Sequence, residues 1–114
     1  MKLVVLITRR VYESLRTEFE LLRTAGVVDP ELADLARRIE ARRRQNQTYL
    51  ITGLHERGAL RHNLSPEEAL DILWSLTGYD LYRMLVIECG WEAERYENWL
   101  SQLLLDRLLQ YEAQ

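Results

Sequence analysis

The 114 residues hold one cysteine, two prolines, five glycines, one phenylalanine and, among 15 basic residues, a single lysine, Lys2. With only Cys89, no internal disulfide and no cysteine-based zinc cluster is possible, and a lone thiol suits a reducing compartment, so the expected location is cytoplasmic. No excess of positive charge exists either. The net charge is -3 and the pI about 5.4, which gives the chain no field to draw it to a phosphate backbone. The preference for Arg over Lys fits GC-rich coding and a bacterial source. Long apolar runs are missing too. Leu3 to Ile7 is too short to cross a bilayer, and Arg9-Arg10 with no small-residue cleavage site argues against a signal peptide, so no membrane partner is expected. His55 and His62, seven residues apart, lack metal-ligand spacing and a third ligand beside them, and no cofactor is expected.

What is present is ample material for one folded domain: 47% hydrophobic and 29% charged residues, in a length that buries roughly 65% of the unfolded chain's surface. The few Gly and Pro residues act as helix punctuation and divide the chain into five helical segments. Leu3 to Thr24 has Val4, Ile7, Val11, Leu15, Phe19 and Leu22 at 3/4 spacing, with Gly26 as its cap. Val4 to Thr8 would also suit an edge strand, but it runs directly into this helical period. Asp29-Pro30-Glu31 starts a long helix that Gly58 stops. Ser65-Pro66-Glu67-Glu68 is a capping box opening a third helix to about Thr77. A fourth, short helix spans Leu81 to Val86 before Gly90. The last, Glu92 to about Tyr111, carries Tyr96, Trp99, Leu100, Leu103, Leu104 and Leu108 on one face, widened by Leu105 and Leu109. That face is too broad for one neighbour, and in a small domain the other side predicts a twin subunit. The expected fold is all-α: a five-helix domain of antiparallel helices.

The candidate sites each have a plainer reading beside them. Arg37-Arg38 and Arg42-Arg43-Arg44 could contact phosphate, but Asp34 and Glu40 stand four residues before Arg38 and Arg44, the order that supports a solvated helix face. Ser75, His55 and Asp71 or Cys89 compose a catalytic set on paper only, because no nucleophile elbow accompanies them, and the chain is not expected to be an enzyme. Tyr12 and Trp74 belong to an aromatic complement that core packing alone accounts for. Arg43 and Asn46, however, fall on the apolar stripe of the long helix with Tyr49 beside them. Polar groups converging on an apolar cavity are what a small-molecule pocket needs. Tyr12, Arg43, Asn46, Tyr49 and Trp74 are therefore the candidate ligand residues. A satisfied buried hydrogen bond is the structural alternative.

Ala59-Leu60-Arg61, Leu64-Ser65-Pro66-Glu67-Glu68-Ala69 and Asp71-Ile72-Leu73-Trp74-Ser75-Leu76-Thr77 resemble, in order and spacing, the C-terminal domain of TetR-type transcription regulators. Leu81 to Val86, Gly90-Trp91, Arg95 to Leu100 and Asp29-Pro30-Glu31-Leu32 extend the resemblance over nearly the whole chain. It implies a homodimer formed through an intersubunit four-helix bundle of the late helices, and the broad apolar face of the last helix then places Tyr96, Trp99, Leu100, Leu103, Leu104 and Leu108 at the interface. It also implies an effector pocket among the helices before them, and the apolar stripes of the first and long helices suit a small apolar or aromatic molecule there. The chain departs from the family in having no helix-turn-helix segment before its first helix, so residues 1–114 read as a single regulatory domain that reaches DNA only through an absent N-terminal domain. Glu92 stands where a Ser or Thr cap is expected. The alternative is a pure helical dimerisation module with a filled core and no ligand.

Overall fold

Local capping chemistry sets three of the helix boundaries in the structure, a computed structural model that describes residues 1–110. Six α-helices follow one another: α1 (Lys2–Ser14), α2 (Arg16–Ala25), α3 (Pro30–Glu56), α4 (Pro66–Leu76), α5 (Tyr79–Tyr82) and α6 (Ala93–Leu108), with a π-helical segment Arg83–Glu88 running on from α5. Asp29 caps α3 by accepting from the amides of Glu31 and Leu32 at 2.9 and 3.4 Å, and Ser65 caps α4 by accepting from Glu68 at 3.1 Å. Each helix then starts on a proline, whose missing amide would have had no partner there. At the far end of α3, Gly58 takes φ 68°. The amide of Ala59 bonds Leu54 and that of Gly58 bonds His55, a Schellman closure that a β-carbon would strain.

The fold is all-α, with no strand among the described residues; the single bridge, Leu60 to Leu109, clips the end of α6 to the turn after α3. Two expectations are corrected. The five helices become six, because the segment Leu3 to Thr24 breaks at Leu15 (φ -110°, ψ 25°) into α1 and α2. The bend delivers Phe19 to the ring of Tyr79, on which it stacks at 5.1 Å, while Tyr12 meets Phe19 edge-on at 5.0 Å. The fourth helix is also not a plain α-helix. Its latter part widens to i→i+5 bonding, the Cys89 amide reaching the Met84 carbonyl, and Arg83 pairs with Glu88 five residues on. The last helix stops at Leu108, where Leu109 turns extended; Tyr111, its expected end, lies outside the described residues.

Helix α6 supplies the spine of the core. Tyr96, Leu100, Leu104 and Leu108 are fully buried, packed with Val5 of α1, Ile51 of α3 and Leu73 of α4. Arg9 of α1 donates to Glu97 at 2.5 Å and fastens the edge of that contact. The molecule is a slab, 49 × 29 × 18 Å, with a radius of gyration of 15.3 Å against about 13 Å for a compact chain of this length. Eighteen ångströms is the thickness of two helix layers, so nearly every helix keeps one face in solvent. On α1 that outer face is apolar: Leu3, Ile7, Val11 and Leu15 recur every four residues and are all exposed.

Candidate ligand groove

Arg43 explains the local geometry. Helix α4 ends because Gly78 turns extended, its amide bonding Ser75, which leaves the Trp74 carbonyl without an amide partner. Arg43, on the facing side of α3, donates to that carbonyl at 2.8 Å and to the Thr77 hydroxyl at 2.8 Å, and is balanced by Glu40 at 2.9 Å. A cation at a helix C-terminus is favourable, since the free carbonyls there carry partial negative charge. Thr77 is 1% exposed and is the hub of the arrangement. Its hydroxyl donates to Leu73 at 2.6 Å, and its carbonyl accepts from Tyr12 Oη at 2.7 Å. Burial pushes the Tyr12 phenol up to about 12.

Thr77 also fixes the amide of Gln47. The one hydroxyl proton of Thr77 goes to Leu73, so Oγ1 can only accept, and Gln47 must present Nε2 to it, at 2.8 Å. Gln47 Oε1 is thereby left buried without a partner among the described residues.

Between α1–α2 and α3 lies an open groove of about 420 Å³. Ile7, Val11, Tyr12, Phe19 and Ile39 supply its apolar surface. Arg42, Asn46 and Gln47 line its polar edge on α3. The Arg43–Glu40 pair separates it from a second hollow of about 390 Å³, bounded by Leu22, Ala36, Trp74 and Tyr79. Trp74 forms a wall of that hollow, with the guanidinium groups of Arg43 and Arg44 at 5.4 and 5.2 Å from its ring and its indole Nε1 buried without a partner among the described residues.

Of the five residues singled out for a ligand, Tyr12, Arg43 and Asn46 meet at the groove and Trp74 borders the neighbouring hollow. Tyr49 lies on neither and is 70% exposed. At about 100° per residue it projects some 100° from the centre of the Ile39–Arg43–Leu50 stripe. The groove also uses Gln47 and Thr77, which sequence reasoning passed over. Gln47 carried a usable signal, standing one helical turn after Arg43. Thr77 had only its place before Gly78.

Of the residues assigned to an interface, Tyr96, Leu100, Leu104 and Leu108 are consumed by the chain's own core. Trp99 stays 39% exposed, its ring edge-on to Trp91 at 5.7 Å, and Leu103 is half-buried. In the catalytic set on paper, Ser75 Oγ donates to the Ile72 carbonyl, Asp71 pairs with Arg44 at 2.6 Å, and His55 and Cys89 are exposed. No helix is long and apolar enough to cross a membrane among the described residues. No family model, curated protein or solved structure matches this chain.

Proposed function

We propose that this chain is the effector-binding and homodimerisation domain of a TetR-type transcription regulator, and that its effector is a small apolar or aromatic molecule seated between α1–α2 and α3. The observation that carries the reading is the groove: apolar walls, an aromatic floor at Tyr12 and Phe19, and a short row of polar groups on one helix. A ligand there touches both sides of the bend at Leu15, so it binds one arrangement of α1, α2 and α3 better than others and shifts the population toward it. In an intact regulator that shift changes the spacing of two reading heads, and DNA is reached only through such heads.

The second copy sits on the outer side of α5, the π-helical segment and α6. There Met84 and Trp99 are exposed, with Leu103 and Trp91 partly so. The slab shape favours this reading, because a second slab against that side doubles the layers and covers aromatic surface that water otherwise meets. The protein is non-enzymatic in this account, and a cytoplasmic bacterial setting goes with it.

Light scattering over a dilution series tests the dimer. The expected mass is twice 13.5 kDa, falling to one copy in Trp99→Glu with the helical content unchanged. A compact monomer at all concentrations refutes it. The pure dimerisation module is the second reading, favoured by one observation: the donors of Arg43 are taken up by Glu40, Trp74 and Thr77, which is a structural role. Under that reading a dimer forms and no ligand raises its melting temperature.

A further inference from the structure

We infer that α2 is a hinged flap on the folded chain and that Phe19 is its latch: α2 swings away from α3 and α5 about Leu15 and the Gly26–Asp29 joint, while α1 and the helices after α2 keep their packing. The inference stands on how α2 is held and needs no effector.

Helix α2 is the one α-helix of the described residues with no buried side chain. Its polar groups close on themselves, since Arg23 and Thr24 both bond Glu20, and among the described residues no ion pair joins it to another helix. Glu20 does lie beside the Tyr79 phenol, but Arg23 of its own turn does more to hold that carboxyl below its usual range. The neighbouring helices are fastened differently. Helix α1 is held by Arg9 on Glu97, by Tyr12 on the Thr77 carbonyl and by the buried Val5. Helix α3 is held by Arg43 and Gln47 on Thr77 and by Arg44 on Asp71.

What keeps α2 in place is apolar and thin. Phe19, Leu22 and Ala25 are only half-buried, and the ring of Phe19 stacks on Tyr79 at 5.1 Å with 19° between the planes and meets Tyr12 edge-on at 5.0 Å. Phe19 borders both the groove and the neighbouring hollow, so open space replaces partner atoms over part of its surface and the dispersion contacts there are lost. Both joints are unencumbered: Leu15 is exposed, and Val27 and Val28 are 82% and 83% exposed. A few residues at the ends of an element are enough to absorb the backbone change of a hinge. An element without core side chains opens locally, at the low end of a protein's stability range, and an open state of about 0.1–10% follows. With Phe19 withdrawn, the groove and the hollow lose the ring that stands at their shared border.

Phe19 is the only phenylalanine in the chain, so 4-fluorophenylalanine incorporated in place of phenylalanine marks the latch alone. Fluorine NMR of the purified chain is expected to show a minor state of about 0.1–10%, directly or through exchange. Amide hydrogen exchange from Phe19 to Ala25 should be at least tenfold faster than in α6 and nearly independent of urea, the mark of a local opening. Tyr79→Leu removes the stacking partner and should raise the minor population roughly two- to tenfold. Tyr79→Phe keeps the ring, removes the phenol beside Glu20 and should change nothing; it and the wild-type exchange data carry the test should Tyr79→Leu fold poorly. Amides of α2 that exchange no faster than those of α6, with the same urea dependence, show that α2 opens only with the whole molecule and overturn the inference. Fast exchange that spreads into Val5 to Tyr12 of α1 overturns the hinge at Leu15. A fluorine line free of exchange, or a Tyr79→Phe effect equal to that of Tyr79→Leu, overturns Phe19 as the latch.

Discussion

Replacing Thr77 by valine tests the hub that joins α1, α3 and α4. Valine keeps the shape of the buried side chain and removes only the hydroxyl, so cavity effects stay small. Three contacts are lost: the acceptor for Arg43 at 2.8 Å, the acceptor for Gln47 at 2.8 Å and the bond donated to Leu73 at 2.6 Å. The last matters least, because the Leu73 carbonyl keeps the Thr77 amide at 3.1 Å. A bond from a charged donor contributes about 1.5–3 kcal/mol and a neutral one about 1 kcal/mol. The Arg43 side chain is 19% exposed and keeps Glu40 and the Trp74 carbonyl, so water and these partners recover part of the loss. The expected destabilisation is about 2 kcal/mol, or roughly 10 °C in melting temperature for a domain near this size. Urea denaturation followed by circular dichroism measures it, within a double-mutant cycle with Arg43→Met. The coupling should be about 1 kcal/mol or more, as for residues sharing one network. A loss below about 0.5 kcal/mol, or strict additivity with Arg43→Met, would refute the claim that this pair closes α4.

Gly58→Ala forces a β-carbon into φ 68° with open space around it, so the cost is conformational alone, about 1–2 kcal/mol by chemical denaturation. Leu100→Ala empties a fully buried position on α6 and should cost about 2–5 kcal/mol, read the same way. The Tyr12 phenol titrates near 12 in the folded state because burial disfavours its charged form, against about 10 in the unfolded chain. Its contribution is therefore intact below pH 10 and is lost as pH rises from about 10 to 12. Urea midpoints at pH 9, 10 and 11 should fall, and Tyr12→Phe should flatten the decline. Tyr96, raised in the same direction by burial, keeps some of it.

The helix ends were written locally, which is why they could be read. Asp29-Pro30, Ser65-Pro66 and Gly58 act on amides and carbonyls within a few residues, and each sits where its chemistry demands. The break at Leu15 carries no such mark. It contains neither Gly nor Pro, and the contact it brings about, Phe19 on the ring of Tyr79, lies sixty residues on in the sequence. The π-helical turn is equally silent. Arg43 was conspicuous as a charge on an apolar stripe, yet its partners Trp74 and Thr77 lie 31 and 34 residues on, a pairing that only the packing of α3 on α4 creates. Gln47 stands one helical turn after Arg43 and was legible from that spacing, but its partner Thr77, 30 residues on, was not. Tyr49 lies outside the groove because the strip of α3 that a neighbour covers is narrower than its apolar stripe in the sequence. The breadth of α6 was real, but its deeper rows close the chain's own core and leave Trp99 and Leu103 to face outward.

A body two helices thick has an unusual relation to mutation. About a dozen side chains, from Val5 to Leu108, are sealed from water, and these form the spine of the core. The walls of the groove are mostly not among them: Ile7, Val11, Phe19, Ile39, Arg42 and Asn46 all keep contact with solvent. Such positions can exchange one side chain for another at little cost to the spine. A scaffold of this kind can acquire a taste for a new molecule by changes on its open face, one residue at a time, while the residues that make it fold stay untouched.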